Sequence, residues 1–488
     1  MHKIAIMNLL NNKDRNAYVI FTREPAPGKT KSRLMPYYDA EQCAELHRCF
    51  LRDIAHEMKR AEKRSAFDII VAYTGGEPVF LKKLFGKKTI FIEQRGTDLG
   101  QKMENAITDV LEMGYEKAVL TGTDIPELRA DAIEAAFDKL DNSDVALGPT
   151  ADGGYYLIGM KEAHHEAFNA RIYGVSSVFE ETLSSIRDSG LSVSTVDKYQ
   201  DIDTREDLAD FRERVQNDAI LKKTATGRFV MNNRKVSVII PVYNEERIAG
   251  CMTDQLRRLT CGRSDAEVIF VDGGSTDRTL DIIEAGDSGD CAQEMINSGG
   301  SADRSSGVKC AGFKVISSKK GRGIQMNVGA EASTGDILFF LHSDSILPDD
   351  FIDEILICMK THSFGCFGVR FRSGNFFMFT NRVISNHRAL MRGLPFGDQG
   401  IFIDRKLFYS IGMFPEYPVM EDYELSRRLR SSGVRPAMTR SRITTSDRRY
   451  GKGTLSIVAT EFRMWNLRRL YRKGLAPEKL AEMYKDER

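Results

Sequence analysis

Carboxylates that end short apolar runs carry the chemistry this chain offers. Residues 236–246 read Val-Ser-Val-Ile-Ile-Pro-Val-Tyr-Asn-Glu-Glu, and residues 269–277 read Ile-Phe-Val-Asp-Gly-Gly-Ser-Thr-Asp. Each run is rich in β-branched residues and stops in a polar turn. That is the pattern of a buried parallel strand whose carboxyl end borders a ligand site. The turns offer Pro241, Tyr243, Asn244, Glu245, Asp272, Gly273, Ser275 and Asp277. Gly273 and Gly274 let backbone come close to a ligand. The pair suits a sugar-bearing nucleotide; either turn alone is equally an ordinary strand-to-helix connection. His342-Ser343-Asp344 ends the run Ile337–Leu341. Asp344 is a hard oxygen ligand for Mg²⁺ or Mn²⁺, and a metal there would bridge a diphosphate. A polar strand-end turn is the plainer alternative, and the metal reading is preferred over it.

Three further segments fit the same chemistry. Gly321-Arg322-Gly323-Ile324-Gln325-Met326-Asn327 precedes a helical pattern. Glycines at a helix start turn backbone amides toward phosphate, and Arg322 adds charge, with Gln325 and Asn327 as polar contacts. Gly397-Asp398-Gln399-Gly400 and Met420-Glu421-Asp422-Tyr423-Glu424-Leu425 follow. Sugar transfer with inversion needs one carboxylate to take the proton of an acceptor hydroxyl. Asp422 is the candidate base; Glu421 or Asp398 would orient the acceptor, with Gln399 beside it. Taken alone, Glu421–Glu424 is an acidic first helical turn. Arg448 and Arg449 suit a departing diphosphate, or form an ordinary basic loop.

The first half repeats the theme. Arg23-Glu24-Pro25-Ala26-Pro27-Gly28-Lys29-Thr30-Lys31-Ser32-Arg33-Leu34 follows an apolar run. Gly28-Lys29-Thr30 ends like a P-loop, but Arg23 stands where a P-loop needs glycine, which excludes that ATPase motif. The loop still suits a nucleoside triphosphate, with Lys29, Lys31 and Arg33 supplying charge; a solvated basic loop is the alternative. Gly122-Thr123-Asp124-Ile125-Pro126 places Asp124 as a second candidate metal ligand. Asp152 and Gly153 lie in a paired-glycine turn, and Asp201-Ile202-Asp203-Thr204 adds two carboxylates. Asp203-Thr204 also reads as the cap of a helix from Arg205.

These turns require an alternating strand and helix scaffold. Strands are expected near Ala17–Phe21, Phe67–Ala72, Thr89–Ile92, Ala118–Thr121 and Val145–Gly148, with helical stretches between them. The pattern implies α/β architecture with mostly parallel sheets covered on both faces. The chain has 488 residues, which favours more than one domain. A basic, weakly periodic stretch sets the expected boundary: residues 15–216, a linker at 217–234, and residues 235–488. Residues 286–312, rich in glycine and serine, read as a flexible insertion.

Composition narrows the partners. The 70 basic and 69 acidic residues nearly cancel and give no reason to expect nucleic acid. Eight cysteines form no CxxC pair, so reduced thiols in a cytoplasm are expected. No stretch approaches the roughly 18 apolar residues that a spanning helix needs. The basic stretch Glu461–Lys473 with Trp465 is compatible with peripheral membrane contact, although a docking helix with a solvated basic face is preferred. Oligomeric state is not legible.

The motifs as a set resemble two families. Residues 236–455 resemble a family 2 glycosyltransferase of the GT-A fold. Pro241-Val242-Tyr243-Asn244-Glu245-Glu246 matches its opening motif, and Asp272–Asp277 its nucleotide turn. Ser343-Asp344 stands at its DxD motif with His342 in place of the first aspartate, and Glu421-Asp422 matches the motif that carries the base. GRGIQMN, HSDS, GDQG and MEDYELSRRL together resemble the group associated with arsenosugar biosynthesis. Residues 17–212 resemble the DUF2064 group, itself GT-A-like and related to guanylyltransferases of cofactor biosynthesis. The loop Pro25–Leu34, Asp98-Leu99-Gly100, Gly122–Pro126, Gly148–Tyr156 and Asp201–Thr204 carry that likeness. Ser176-Ser177 departs from its usual Trp-Ser.

The resemblances imply two GT-A-like, Rossmann-like domains in tandem. They imply a nucleoside diphosphate sugar donor, a small-molecule acceptor, and Mg²⁺ or Mn²⁺. The N-terminal half would bind a nucleotide and either make the donor or act as a second transferase. Alternatively it is a silent nucleotide-binding or assembly module that regulates one transferase. A wholly structural protein would require the acidic turns of both halves to be incidental.

Overall fold

The computed structural model describes residues 15–35, 37–62, 67–168, 177–287, 312–371, 376–445 and 454–484. The chain divides into two compact units, Met1–Met231 and Asn232–Arg488. The expected insertion at 286–312 lies almost wholly outside the described residues, as do Ser176, Arg448 and Arg449.

The first unit has strands β1 (Asn16–Arg23), β2 (Phe67–Thr74), β3 (Ile90–Glu93), β4 (Ala118–Thr121), β5 (Val145–Pro149), β6 (Tyr155–Met160) and β7 (Val193–Thr195). Their order in the sheet is β3-β2-β1-β4-β6-β5-β7. All pairs are parallel except those made by β6, which runs antiparallel between β4 and β5. The expected strands are present. Sequence reading missed β6, because its start, Tyr155-Tyr156, was taken with the glycine turn before it.

The second unit has β8 (Val236–Val242), β9 (Ala266–Asp272), β10 (Lys314–Ser317), β11 (Ile337–Phe340), β12 (Phe364–Phe371), β13 (Ile401–Asp404) and β14 (Ala437–Thr445). Their order is β10-β9-β8-β11-β13-β12-β14. This is the order of the first unit strand for strand, including one antiparallel strand, β13, in the same place. Both faces of each sheet are buried by helices, which explains the near-continuous apolar runs of the central strands. The helix Glu246–Thr260 shows how the cover is built. Its Ala249, Met252, Thr253, Leu256 and Thr260 recur at helical spacing and face inward. Gly329, in the helix Arg322–Ala332, lets that helix lie close on the sheet: a Cβ there would fall 2.4 Å from Ile239.

The stretch expected as a linker, 217–234, is folded. A 3-10 turn, Leu221–Lys223, leads into the helix Ala225–Asn232. The Asp53 carboxylate accepts the Ala225 and Thr226 N–H groups at 2.7 and 2.8 Å and so caps that helix. Val230 is fully buried, and Phe229 stands edge-on to Tyr38 at 5.6 Å. Arg212 Nε donates to the Val230 carbonyl at 3.1 Å. The basic composition hid a short apolar face. Arg234, read with that linker, is buried in the second unit and pairs with Asp404 at 2.6 Å.

The cap generates a test. Asp53→Ala leaves two helix N–H groups without their acceptor and should cost about 1 kcal/mol of stability. Amide exchange should rise across Ala225–Asn232 in particular. Unchanged protection there would contradict a helix held by Asp53.

Candidate active sites

In the second unit the sequence-nominated residues gather at the carboxyl ends of β8, β9 and β11. Asp272 is buried at the end of β9, where its carboxylate accepts the Gly274 and Ser275 N–H groups at 3.0 and 3.1 Å. Gly274 has φ +88°, a value glycine adopts freely. Asn244, at the end of β8, is left-handed at φ 52°. Its Oδ1 accepts from Thr276 N–H at 2.8 Å, and its own N–H donates to the Ser275 hydroxyl at 2.9 Å. Asp277 accepts from Thr279 N–H and hydroxyl and from Glu246 N–H. Desolvation pushes against ionisation of Asp277, but these bonds outweigh it and hold its carboxyl below the usual range. The two nominated turns are therefore laced to each other. Tyr243 sits beneath Lys320, whose Nζ lies 3.9 Å from its ring centre, and Pro241 is the second-to-last residue of β8.

The next layer is built from β11 and two loops. Ser343 donates to Glu245 at 3.3 Å, joining the β11 turn to the β8 turn. Asp344 is half-buried and makes no hydrogen bond or ion pair among the described residues. Arg322 places Nε 3.4 Å from Glu421 and a terminal nitrogen 3.5 Å from His342 Nε2. Asp422 accepts Gly397 N–H at 2.8 Å and its neighbour Tyr423 N–H at 2.7 Å. Gly397 is crowded against both partners: a Cβ there would lie 2.5 Å from His342 Nε2 and 3.3 Å from Asp422 Oδ2. His342, Arg322, Glu421, Gly397 and Asp422 thus form one connected group. Asp398 lies in the same 3-10 turn, Gly397–Gln399.

Three nominated residues do other work. Gln325 donates to the Val242 and Val271 carbonyls at 2.9 and 2.8 Å, pinning β8 to β9. Asn327 exchanges two hydrogen bonds with the Phe414 backbone at 2.8 and 3.1 Å. Gln399 is fully buried, where it accepts from Arg388 at 3.2 Å and from Phe396 N–H at 3.3 Å. A buried amide must pair, and these amides pair with backbone and neighbours rather than facing a ligand. Gly323 likewise serves packing, since a Cβ there would lie 2.6 Å from the Pro415 carbonyl.

The first unit holds a cavity of about 640 Å³, lined by Lys29, Lys31, Arg33, Asp124, Asp152 and Asp203 among others. Gly28 and Lys31 have positive φ, 75° and 51°, and shape the basic loop. The Lys31 side chain is only 5 % exposed, and its ammonium bridges Asp124 at 2.6 Å and Asp203 at 2.9 Å. Burial alone would lower its pKa, but the two carboxylates outweigh burial and raise it. Asp124, nominated as a metal ligand, is thus already paired with a cation. Lys29 and Arg33 remain exposed, with Arg33 3.5 Å from Asp203. Asp152 accepts from the Thr150 hydroxyl at 2.5 Å and from Gly154 N–H at 3.0 Å, and Gly153 takes φ 92°. Thr204 caps the helix Arg205–Asn217 through a reciprocal pair with Asp207.

His47 is a site residue that sequence reading missed. It is buried against the cavity, with Nδ1 2.8 Å from the Thr30 hydroxyl and Nε2 3.3 Å from those of Thr22 and Thr123. Burial first, then the charges of Lys31, Arg23 and Arg48, push it down to about 3. It is therefore a neutral clamp that joins the basic loop to the Gly122–Asp124 turn. The signal was present: His47 falls on the apolar stripe of its helix, beside Cys43, Leu46, Phe50 and Leu51.

Each unit is thus an open α/β sheet with polar turns at the carboxyl ends of its central strands, the place where such sheets bind ligands. Residues 237–414 match the model of glycosyl transferase family 2, and residues 57–175 match that of an uncharacterized protein conserved in bacteria (DUF2064). A PGL/p-HBAD biosynthesis glycosyltransferase of Mycobacterium bovis is 30 % identical over 233 residues, 46 % of this chain and 81 % of that protein. A 2-phospho-L-lactate guanylyltransferase of Methanothermobacter thermautotrophicus is 26 % identical over 184 residues, 37 % of this chain and 77 % of that protein. A solved structure described as a nucleotide-diphospho-sugar transferase from Desulfovibrio desulfuricans G20 shares 29 % identity, with a TM-score of 0.42, over 45 % of this chain and 94 % of that one. The chain belongs to glycosyl transferase family 2 through its second unit and carries a DUF2064 domain in its first. It is a glycosyltransferase.

Asp201 gives the first unit a pH signature. Burial, then the charges of Asp152, Asp203 and Asp207, push it up to about 6. The unfolded chain ionises this group near pH ~3.9. Between those values the unfolded state has lost the proton and the folded state keeps it, so stability falls as pH rises toward 6 and levels off above. Asp201→Asn removes that loss. In chelated buffer it should raise the thermal midpoint at pH 7 and leave it unchanged near pH 4. An equal shift at both pH values would contradict the assignment.

Proposed function

We propose that the second unit transfers a sugar from a nucleoside diphosphate sugar to a hydroxyl of a small acceptor, with inversion. The observation that carries this reading is the connected group around Gly397. It links Asp422, through Gly397, to His342 at the end of β11 and from there to Arg322. Two N–H donors fix the Asp422 carboxylate, and its remaining lone pairs are available to a substrate hydroxyl. As the hydroxyl oxygen bonds to the anomeric carbon, its proton passes to Asp422 and the bond to the diphosphate breaks. Arg322 brings positive charge beside that point and holds Glu421.

The residues fit a divalent ion that arrives with its substrate. Among the described residues no group of three or more His, Cys, Asp or Glu side chains is arranged to hold a metal. Asp344 offers one carboxylate with no protein partner there, and Mg²⁺ commonly takes one or two carboxylates plus phosphate oxygens. Asp344 would hold Mg²⁺ or Mn²⁺, which would neutralise charge on the departing diphosphate.

The first unit binds a nucleotide in its cavity on this reading, and makes the donor or acts as a second transferase. The guanylyltransferase relative supports nucleotidyl chemistry. A specific observation favours the non-catalytic alternative as well: Lys31 already neutralises Asp124. For the acceptor, the pointer is the motif set's resemblance to the arsenosugar-associated group.

The test is release of nucleoside diphosphate from UDP- and GDP-sugars with Mn²⁺. Asp422→Asn should lower acceptor transfer by about 10²–10⁴-fold, while Asp344→Ala should abolish the response to Mn²⁺. Wild-type protein that neither hydrolyses nor binds any donor would remove the transferase assignment from this site. Turnover of a nucleoside triphosphate with a sugar phosphate, lost in Lys31→Ala, would separate a catalytic first unit from a silent one.

A further inference from the structure

The helix Phe376–Arg392 presents its apolar face outward. Met378, Asn381, Ser385 and Ala389 point into the unit, while Phe379, Val383, Ile384, Leu390 and Met391 are exposed, Met391 at 72 %. At 3.6 residues per turn these exposed positions fall on one side, opposite the buried one. An ordinary surface helix has the reverse arrangement. The helix packs against Thr454–Arg472, which adds exposed Phe462, at 67 %, and Trp465, stacked ring on ring at 5.8 Å.

The two helices are themselves cationic, and the helix Pro477–Met483 packed on the second adds exposed Glu478, Lys479 and Glu482. The two helices carry Arg382, Arg388, Arg392, Arg463, Arg468, Arg469 and Arg472 against a single acidic residue, Glu461; of these, Arg388 and Arg468 are turned onto the Phe396 ring. Two exposed aromatic rings each carry a guanidinium: Arg382 lies 4.5 Å from the Phe379 ring centre, and Arg469 lies 5.7 Å from that of Trp465. The chain as a whole is nearly neutral, at net charge +1, so this concentration of arginine is local. Large apolar side chains with a cationic surround complement an anionic bilayer surface, where the rings and aliphatic side chains enter the headgroup boundary and arginines meet phosphate. No helix among the described residues is long and apolar enough to cross a membrane, so such contact would be interfacial.

We propose that these two helices form a docking surface for an anionic lipid membrane. The surface is joined to the transferase site. Arg388 donates to the Leu394 carbonyl at 3.1 Å and to Gln399 at 3.2 Å, and the loop between them carries the Gly397 N–H that holds Asp422. Docking would therefore bring the acceptor side of the site close to the lipid surface. The exposed side chains and their charge favour docking whichever sugar is transferred.

The experiment is co-sedimentation of the full chain with phosphatidylcholine vesicles, with and without phosphatidylglycerol, at low and high salt. Binding is expected only with phosphatidylglycerol, and weaker at high salt. Combining Phe379→Ser, Leu390→Ser and Met391→Ser should reduce partition about tenfold or more without lowering the thermal midpoint. Arg392→Glu with Arg463→Glu provides a second route to the same loss if the serine variant folds poorly. Wild-type protein that stays in the supernatant with both vesicles would overturn the proposal, as would variants that bind like wild type. Self-association by light scattering that the serine variant abolishes, with no vesicle binding, would assign the face to a second copy of the chain.

Discussion

The side-chain amide of Gln325 is the pin on which the second site depends. Parallel strands that end together leave carbonyls facing the crevice, and buried carbonyls must be paired. One amide nitrogen meets both, the Val242 and Val271 carbonyls. This holds the ends of β8 and β9 at a fixed separation, and Gly273 leaves room for the amide, which would lie 3.1 Å from a Cβ. Asp272 then completes the turn by accepting two N–H groups. The polar turn is thus held from beneath by the buried amide together with its own Gly273 N–H, which donates to the Val242 carbonyl at 2.9 Å.

The first unit solves the same problem with other residues. Its sheet has the same strand order, but its clamp is His47, whose ring meets three threonine hydroxyls from the β1 end, the basic loop and the β4 turn. A neutral imidazole serves because both nitrogens can engage hydroxyls, which donate or accept as needed. Burial and nearby cations keep it neutral. Equal topology therefore does not imply equal chemistry. The strand order sets where loops meet, and the side chains at those places decide what can be held.

The α/β class, most strands and both groups of strand-end carboxylates were legible from sequence, because apolar runs and acidic turns are local signals. Roles of individual polar residues were less so. Gln325, Asn327 and Gln399 looked like ligand contacts, since sequence gives polarity but not direction; each turns inward to satisfy backbone or a neighbour. His47 was hidden for the opposite reason, as a polar residue on an apolar stripe. The docked helix Ala225–Asn232 was missed because its capping carboxylate, Asp53, is remote in sequence. The antiparallel strands β6 and β13 were not foreseen as sheet insertions, since periodicity gives a strand but not its neighbour.

Asp124 and Asp344 show how far two equivalent positions can diverge. Each follows the strand that pairs with the unit's first strand, β4 with β1 and β11 with β8. Asp124 faces Lys31, whose side chain is nearly sealed from solvent. A divalent ion at Asp124 would have to compete with an ammonium already at 2.6 Å, and releasing that ammonium would also cost its contact with Asp203. Asp344 has no such competitor among the described residues, and its neighbour Ser343 is occupied by Glu245 instead. The same strand-end aspartate is thus spent on holding a loop in one unit and left available in the other. On electrostatic grounds the two positions differ: the Lys31 ammonium already neutralises Asp124, whereas Asp344 has no cationic partner among the described residues, and Lys29 and Arg33 stay exposed at the first unit's cavity.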